Sequence, residues 1–320
     1  MTTACSAARS SRRCCPGSSE TAFVGVDLGG TRIRAALARD PSRLERREER
    51  ETPTTGRAPI EAAIAETVRA VARGAHLGAI GVAAPGPLDH ERGIVHEAPN
   101  LAGFREVALA DDLARALGHP VFVDRDTVVA AFGEAAYGAA RGISDFVYVT
   151  ISTGIGGAIV TGGRILRGVS GTAGELGHWP IDPSGPRCGC GANGCVEAIA
   201  GGASLARAFG VATAAEVFVA AKSGDARARD LLSRAGRALG DLAVGLVNVL
   251  NPARIIVGGG VATGEPDFVF GAMKDAVRGR AFAIPANAVE IVPAALGDDV
   301  GLIGAALMAR ERARGHQPLG

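Results

Sequence analysis

The stretch "DFVYVTISTGIGGAIVTGGRIL" (Asp145–Leu166) decides the fold. A β-branched apolar run meets a glycine turn, and a second apolar run leads away from it. That order predicts strand, tight turn, strand. The same order stands near the start of the chain, in "FVGVDLGGTRIRAALA" (Phe23–Ala38). In neither place does a helix start follow the glycines, so a Rossmann fingerprint fits poorly, and no GxxxxGK[ST] P-loop occurs. Two such openings in 320 residues, a length that suits two domains, imply two α/β units.

Outward from these openings the pattern stays α/β. "APIEAAIAETVRAVARGA" carries apolar residues at helical spacing. "LGAIGVAAPGPLD" reads as a buried strand broken by Pro-Gly-Pro, "VALADDLARALG" as a helix, "PVFVD" as a strand and "TVVAAFGEAAYGAARG" as a helix. After the second opening come a cysteine-bearing loop and a largely helical stretch that includes Asp225–Asn251. "PARIIVGGGV" is a strand ending in glycines, and "DDVGLIGAALMARERA" closes the chain as a helix. The mixed-charge run Arg43–Glu51 reads as a solvated strand and turn.

Composition narrows the function. Hydrophobic residues make up 47% and charged residues 21%, as in a soluble globular protein. A net charge of +1 and 4% aromatics give no field or stacking surface for nucleic acid or membrane. No apolar run reaches the roughly 18 residues of a membrane span. Residues 1–20 lack the apolar centre of a secretory signal and read as a disordered tail. Cys5, Cys14 and Cys15 lie there, as free thiols.

The other three cysteines share one loop, "GHWPIDPSGPRCGCGANGCVE" (Gly177–Glu197). Three is an odd number, and the loop is tight for a disulfide, so a reduced cytoplasmic chain with a metal fits better. His178, Cys188, Cys190 and Cys195 make a Cys₃His set, which selects Zn2+. Four protein ligands close a tetrahedral shell, so the expected zinc is structural.

Each glycine turn alone is an ordinary hairpin. Together, with Asp27 at a strand end and a third cluster at Gly258–Gly260, they point to a nucleotide site. Gly29 and Gly30 in the first turn, and Gly154 and Gly156 in the second, expose backbone N–H groups to phosphate. Thr31 and Thr153 add hydroxyls. Asp27 is placed to hold Mg2+ near the phosphates, and Gly258 and Gly259 let adenine or its ribose lie against the backbone.

At this point the chain resembles a known family. "VDLGGTRIR", "GVAAPGPLD", "APNLAGF", "TISTGIGGAIV", "GTAGELGH", "CGCGANGCVE" and "NPARIIVGGGV" occur in order, and resemble the signature of the ROK family (repressors, open reading frames, kinases), in its zinc-containing type. The resemblance runs from about Phe23 to Arg310. It implies a duplicated two-domain actin-like ATPase (ribonuclease H-like) fold closing over sugar and ATP. The domains expected are a small one over 21–130, completed by a C-terminal helix at 298–315, and a large one over 131–297 with the zinc loop at 178–197. The activity implied is hexokinase-type transfer of the ATP γ-phosphate to a sugar hydroxyl. Glucose is the first guess, with N-acetylmannosamine, N-acetylglucosamine and fructose as alternatives and polyphosphate as an alternative donor. ROK repressors carry a DNA-binding domain ahead of this core; only a short tail precedes it here, which favours a kinase over a repressor. A non-catalytic sugar sensor is the runner-up. The family often forms homodimers or larger assemblies.

The resemblance also assigns residues. Asp126, in "VFVDRDTVVAAFGE", matches the catalytic base, although a carboxylate there also suits a helix N-cap. Asn100, Glu175, His178 and Glu197 match sugar-hydroxyl ligands, and Gly86 a backbone position near the sugar. Two positions depart from the pattern: Arg125 and Val128 stand where the family usually has asparagine. The open possibilities for Arg125 are that it turns outward, pairs with Asp124 or Asp126, or faces a negatively charged substrate.

Overall fold

The computed structural model describes residues 21–319; the expected tail at 1–20, with Cys5, Cys14 and Cys15, lies outside the described residues. The first half runs β1 (Ala22–Leu28), β2 (Arg32–Ala38), β3 (Arg46–Glu51), α1 (Arg57–Ala72) and β4 (Leu77–Ala84). Three short strands follow, β5 (Leu88–Asp89), β6 (Ile94–Glu97) and β7 (Arg105–Val107), then α2 (Leu109–Leu117), β8 (Val121–Arg125) and α3 (Asp126–Tyr137). The second half opens with β9 (Phe146–Ile151), β10 (Ile155–Thr161) and β11 (Arg164–Ile165). It continues through α4 (Val196–Ala200), α5 (Gly202–Phe209), α6 (Ala214–Lys222), α7 (Ala226–Leu250), β12 (Arg254–Gly258), α8 (Gly260–Gly264), α9 (Pro266–Arg280), α10 (Ala283–Ala288) and β13 (Glu290–Pro293). The last helix is α11 (Val300–Ala313).

The two principal sheets share one topology. The first has the order β3-β2-β1-β4-β8 and the second β11-β10-β9-β12-β13. In each, the first three strands are antiparallel neighbours and the last two run parallel to the opening strand. The duplication expected from the two glycine hairpins is therefore present strand for strand. A small third sheet, β5-β6-β7, sits on the first half. The charged run is the edge strand β3, almost wholly exposed, where six consecutive Arg and Glu side chains discourage edge-to-edge pairing.

Apolar side chains sort into three main cores. One packs α1 and α2 against the first sheet. Another packs the second sheet against α7, α9 and the shorter helices. The third lies between the halves and is built from α3 and α11 with strands of the second sheet. Glycines let α11 approach: a Cβ at Gly25 or Gly81 would lie 2.1 or 2.0 Å from a carbonyl of α11, and one at Gly304 would lie 2.0 Å from Val129 O. The expected boundary at 130–131 falls inside α3, a helix buried from Thr127 to Glu134. Val128 is 0% exposed and belongs to that core, so its apolar character is a packing requirement. The long helix read over Asp225–Asn251 is α7; Asp225 caps its start by accepting from Ala228 N, and Asn251 ends it at φ 45°.

Candidate active site

The first glycine turn joins β1 to β2. Its register sets Asp27 opposite Arg34, and the two side chains form an ion pair. Gly29 N donates to Arg32 O, while Thr52 donates to the carbonyls of Gly29 and Thr31. Gly30 lies against Asn100, since an added Cβ would sit 3.1 Å from its Cβ. The first turn and the Asn100 loop therefore touch. Gly86 has φ +90°, and a side chain there would meet Glu97 O at 1.9 Å, so this bend requires glycine.

The second turn joins β9 to β10 and meets the other candidate groups. Glu197 reaches it from α4: its Oε2 accepts from Ile155 N at 2.9 Å and would lie 2.4 Å from a Cβ on Gly154. A Cβ on Gly156 would lie 2.9 Å from Thr127 Cγ2, at the start of α3. Gly202 N and Ala203 N donate to the carbonyls of Ser152 and Thr153. The third glycine cluster joins from β12: a Cβ on Gly259 would meet Ile151 O at 2.5 Å, and one on Gly258 would meet the Tyr148 hydroxyl at 2.8 Å.

Asp126 stands where β8 becomes α3. It is the first residue of the helix and Arg125 holds the N-cap position, so the N-cap reading of Asp126 moves by one residue. Asp126 Oδ1 accepts from the adjacent Thr127 N at 2.7 Å. The carboxyl is open to solvent on one side, yet it lies deep between the halves. The surrounding protein disfavours its charge, Asp27 and Glu175 add like charge, and Arg125 and the Thr127 amide oppose the shift; the result is pushed up to about 6. A carboxyl near 6 is ionised at neutral pH and still a competent proton acceptor.

Arg125 is 4% exposed and does not turn outward. Its Nη1 donates to Glu175 Oε1 at 2.7 Å and its Nη2 to Ala173 O. Two of the possibilities the sequence left open are thereby closed: the guanidinium neither turns outward nor pairs with Asp124 or Asp126. Asp124 instead receives Arg167 through both carboxylate oxygens and accepts from Arg125 N. The Arg125–Glu175 pair joins residues 50 apart, and no local pattern in the sequence signals it.

His178 ends a short 3-10 turn at Leu176–His178, and its N–H donates to Glu175 O. Its Nδ1 lies 3.5 Å from Cys188 Sγ, and Cys190 Sγ lies 3.6 Å from Cys195 Sγ. The four ligand atoms of His178, Cys188, Cys190 and Cys195 lie within 4.8 Å of one another. Zn–S bonds of about 2.3 Å in a tetrahedron require sulfur–sulfur edges of about 3.7 Å, so the set fits zinc. The surrounding loop needs such a centre: its own buried cluster is only Cys188, Cys195 and Ala198. Without a cation, burial pushes the Cys195 thiol up to about 12. With Nδ1 turned to the sulfurs, Nε2 is the free nitrogen of His178.

Comparison with known proteins places the fold in a family. Residues 23–312 match the model of the ROK family, and the chain belongs to that family. It is similar to a glucokinase of Thermotoga maritima, 33% identical over 313 residues, covering 92% of this chain and 98% of that protein. It is also similar to an N-acetylmannosamine kinase of Shigella flexneri, 34% identical over 299 residues, covering 90% of this chain and 98% of that protein. Among solved structures, a ROK glucokinase of Streptomyces griseus, in complex with glucose and AMPPNP, superposes with a TM-score of 0.79 at 31% identity, covering 90% of this chain and 99% of that one. The fold is the two-unit actin-like ATPase fold. Among the described residues, no single helix is long and apolar enough to cross a membrane.

Proposed function

We propose that this protein is an ATP-dependent sugar kinase that transfers the γ-phosphoryl group to a hydroxyl of a hexose, with glucose the first acceptor to test. The observation that carries the reading is the Asp126 carboxyl, raised to about 6 at the start of α3. Asp27 and Glu175 act on it electrostatically, and its neighbour Thr127 packs on Gly156 of the second turn, whose Ile155 N–H donates to Glu197.

In the proposed mechanism Asp126 accepts the proton of the attacking hydroxyl as its oxygen bonds to phosphorus and ADP leaves. Asn100, the free oxygens of Glu175 and Glu197, Nε2 of His178 and the backbone at Gly86 hold the other hydroxyls. Carboxylates and amides suit this task because a hydroxyl both donates and accepts. Backbone N–H groups at Gly30, Gly154 and Gly156, with the hydroxyls of Thr31 and Thr153, receive the phosphates, while Gly29, whose N–H bonds Arg32 O, shapes the first turn beneath them. Gly258 and Gly259 leave a flat surface for the adenosine. Asp27 has one side committed to Arg34 and offers the other to phosphate-bound Mg2+, which would neutralise phosphate charge. Zn2+ held by His178, Cys188, Cys190 and Cys195 would cross-link the loop that carries His178 at one end and Glu197 at the other.

Coupled ADP release tests the proposal, with ATP or polyphosphate as donor and a panel of hexoses and N-acetylhexosamines as acceptors. Turnover of at least one sugar is expected, and none with any sugar would favour a non-catalytic sensor. The N-acetylmannosamine kinase similarity makes that amino sugar the second acceptor to try.

A further inference from the structure

We infer that Arg125 is a positioning residue for sugar recognition: it fixes the Glu175 carboxylate across the gap between the halves without touching substrate, and the acceptor it helps select is an uncharged sugar. The inference rests on the sugar-kinase reading.

Arg125 is held at every point that could move. Its backbone N donates to Asp124 Oδ1 at 2.8 Å, and Asp124, 0% exposed, is gripped by Arg167 at 2.8 and 2.7 Å. Its guanidinium spans from β8 to Ala173 O and Glu175 Oε1. Gly174, at φ +97°, clears a path for it; a Cβ there would lie 3.3 Å from Nη2. The one guanidinium nitrogen without a partner, Nε, is itself buried.

Two consequences follow for the substrate. First, Glu175 has Oε1 engaged by Arg125, which leaves Oε2 the oxygen with both lone pairs open to sugar hydroxyls. Its orientation is set by a charge-assisted bond, which lowers the cost of ordering it when sugar binds. Second, the guanidinium nitrogens of Arg125 bond Glu175 and Ala173 O or, at Nε, are buried, while Asp27, Asp126 and Glu175 set three carboxylates within electrostatic reach of one another. A sugar acid or sugar phosphate would add like charge beside these carboxylates.

Arg125→Asn and Arg125→Lys test this, read by initial rates and by sugar titration of the fluorescence of Trp179. That residue is the sole tryptophan and adjoins His178. Arg125→Asn is expected to raise sugar Kd and KM about tenfold or more, with the KM for ATP changed less than about twofold. It should also move the acid limb of kcat/KM to higher pH. The titratable groups acting on Asp126 include Asp27, Glu175, Tyr148 and Arg125, and the substitution removes the cation among them. Arg125→Lys should keep the limb in place while losing part of the sugar affinity, because an ammonium cannot span both Ala173 O and Glu175. Neutral sugars should bind the wild type at least about tenfold tighter than their acid or phosphate counterparts.

Unchanged sugar affinity with an unmoved limb in Arg125→Asn would overturn the inference. So would parallel loss of sugar and ATP affinity in both variants, which would assign Arg125 to general stability. Preference for an acidic sugar that disappears in Arg125→Asn would make it a direct ligand instead. If the wild type turns over no sugar, the kinase reading fails, while the Trp179 titrations still decide the role of Arg125.

Discussion

The hairpins that open the two halves have nearly the same register and opposite chemistry. In the first, Leu28 pairs with Ile33 and Asp27 with Arg34. In the second, Ile151 pairs with Ile155 and Thr150 with Gly156. Where one hairpin carries an ion pair, the other has a hydroxyl and a bare glycine. The space left by Gly156 is taken by Thr127, next to Asp126. The duplicated scaffold thus keeps charge at one turn and makes room at the other for the start of α3. Function on this fold comes from what was placed at equivalent positions, not from the repeated plan.

This comparison can be broken from either side. The largest expected effect is on the group that the second hairpin accommodates: Asp126→Asn should lower kcat by about 10²–10⁴-fold, the range for loss of a positioned base. Sugar titration of Trp179 fluorescence should show affinity changed only a few-fold. Next, Asp27→Asn in the first hairpin should act through the donor. Steady-state kinetics should show a lower kcat and a higher KM for ATP, with sugar Kd nearly unchanged. Gly156→Val, the matching lesion in the second hairpin, leaves the backbone N–H in place and should act mainly on kcat by pressing on Thr127, with a smaller rise in the KM for ATP than Asp27→Asn gives. If the two lesions give the same kinetic signature, the division of labour between hairpins is wrong.

A smaller effect is expected at the cysteine loop. Chelation, or Cys195→Ser, should raise sugar KM and lower Tm by several degrees, as lost cross-links do in loops with little core of their own. The acid limb should stay in place, because the base lies elsewhere. Metal analysis of the purified protein, followed by sugar titration before and after chelation, checks this. Unchanged sugar affinity after complete metal removal would sever the loop from the sugar site.

The smallest effect concerns stability. The Asp126 carboxyl is raised from 3.8 in its ordinary state to about 6 in the folded protein. Between those values the folded chain holds a proton that the unfolded chain has released. Folding stability therefore falls as pH rises through that window, and stays lower above it. Asp126→Asn removes this loss, so the variant should melt above the wild type at pH 8. The gap should narrow towards pH 5, and calorimetry at the two pH values would show it. Such a stability cost on ionisation is what the proposed role of Asp126 as base would lead one to expect.

What could be read from the residues was local. The two hairpins, the Cys₃His spacing, the α7 helix between its caps and the closing helix α11 all declare themselves by periodicity or by turn residues within a few positions. The sheet β5-β6-β7 did not, because strands of two to four residues carry too little alternation to detect. The placement of α3 and α11 between the sheets was equally hidden. It depends on glycines at 25, 81 and 304 facing backbone from distant segments. The candidate site divides the same way. Asp27, Asp126 and the metal ligands stood out by motif, whereas the Arg125–Glu175 pair forms only when β8 and the 173–175 loop meet. Val128 drew notice as a departure, and its burial between the sheets accounts for it.

Whether Asp126 is the proton acceptor is tested most directly by the pH dependence of kcat/KM with ATP and a turned-over hexose. The wild type should lose activity below about pH 6, with a one-proton limb set by Asp126. In Asp126→Asn the residual rate should lack that limb. A limb that persists unchanged in Asp126→Asn, or a variant that turns over within a few-fold of the wild type, would contradict it.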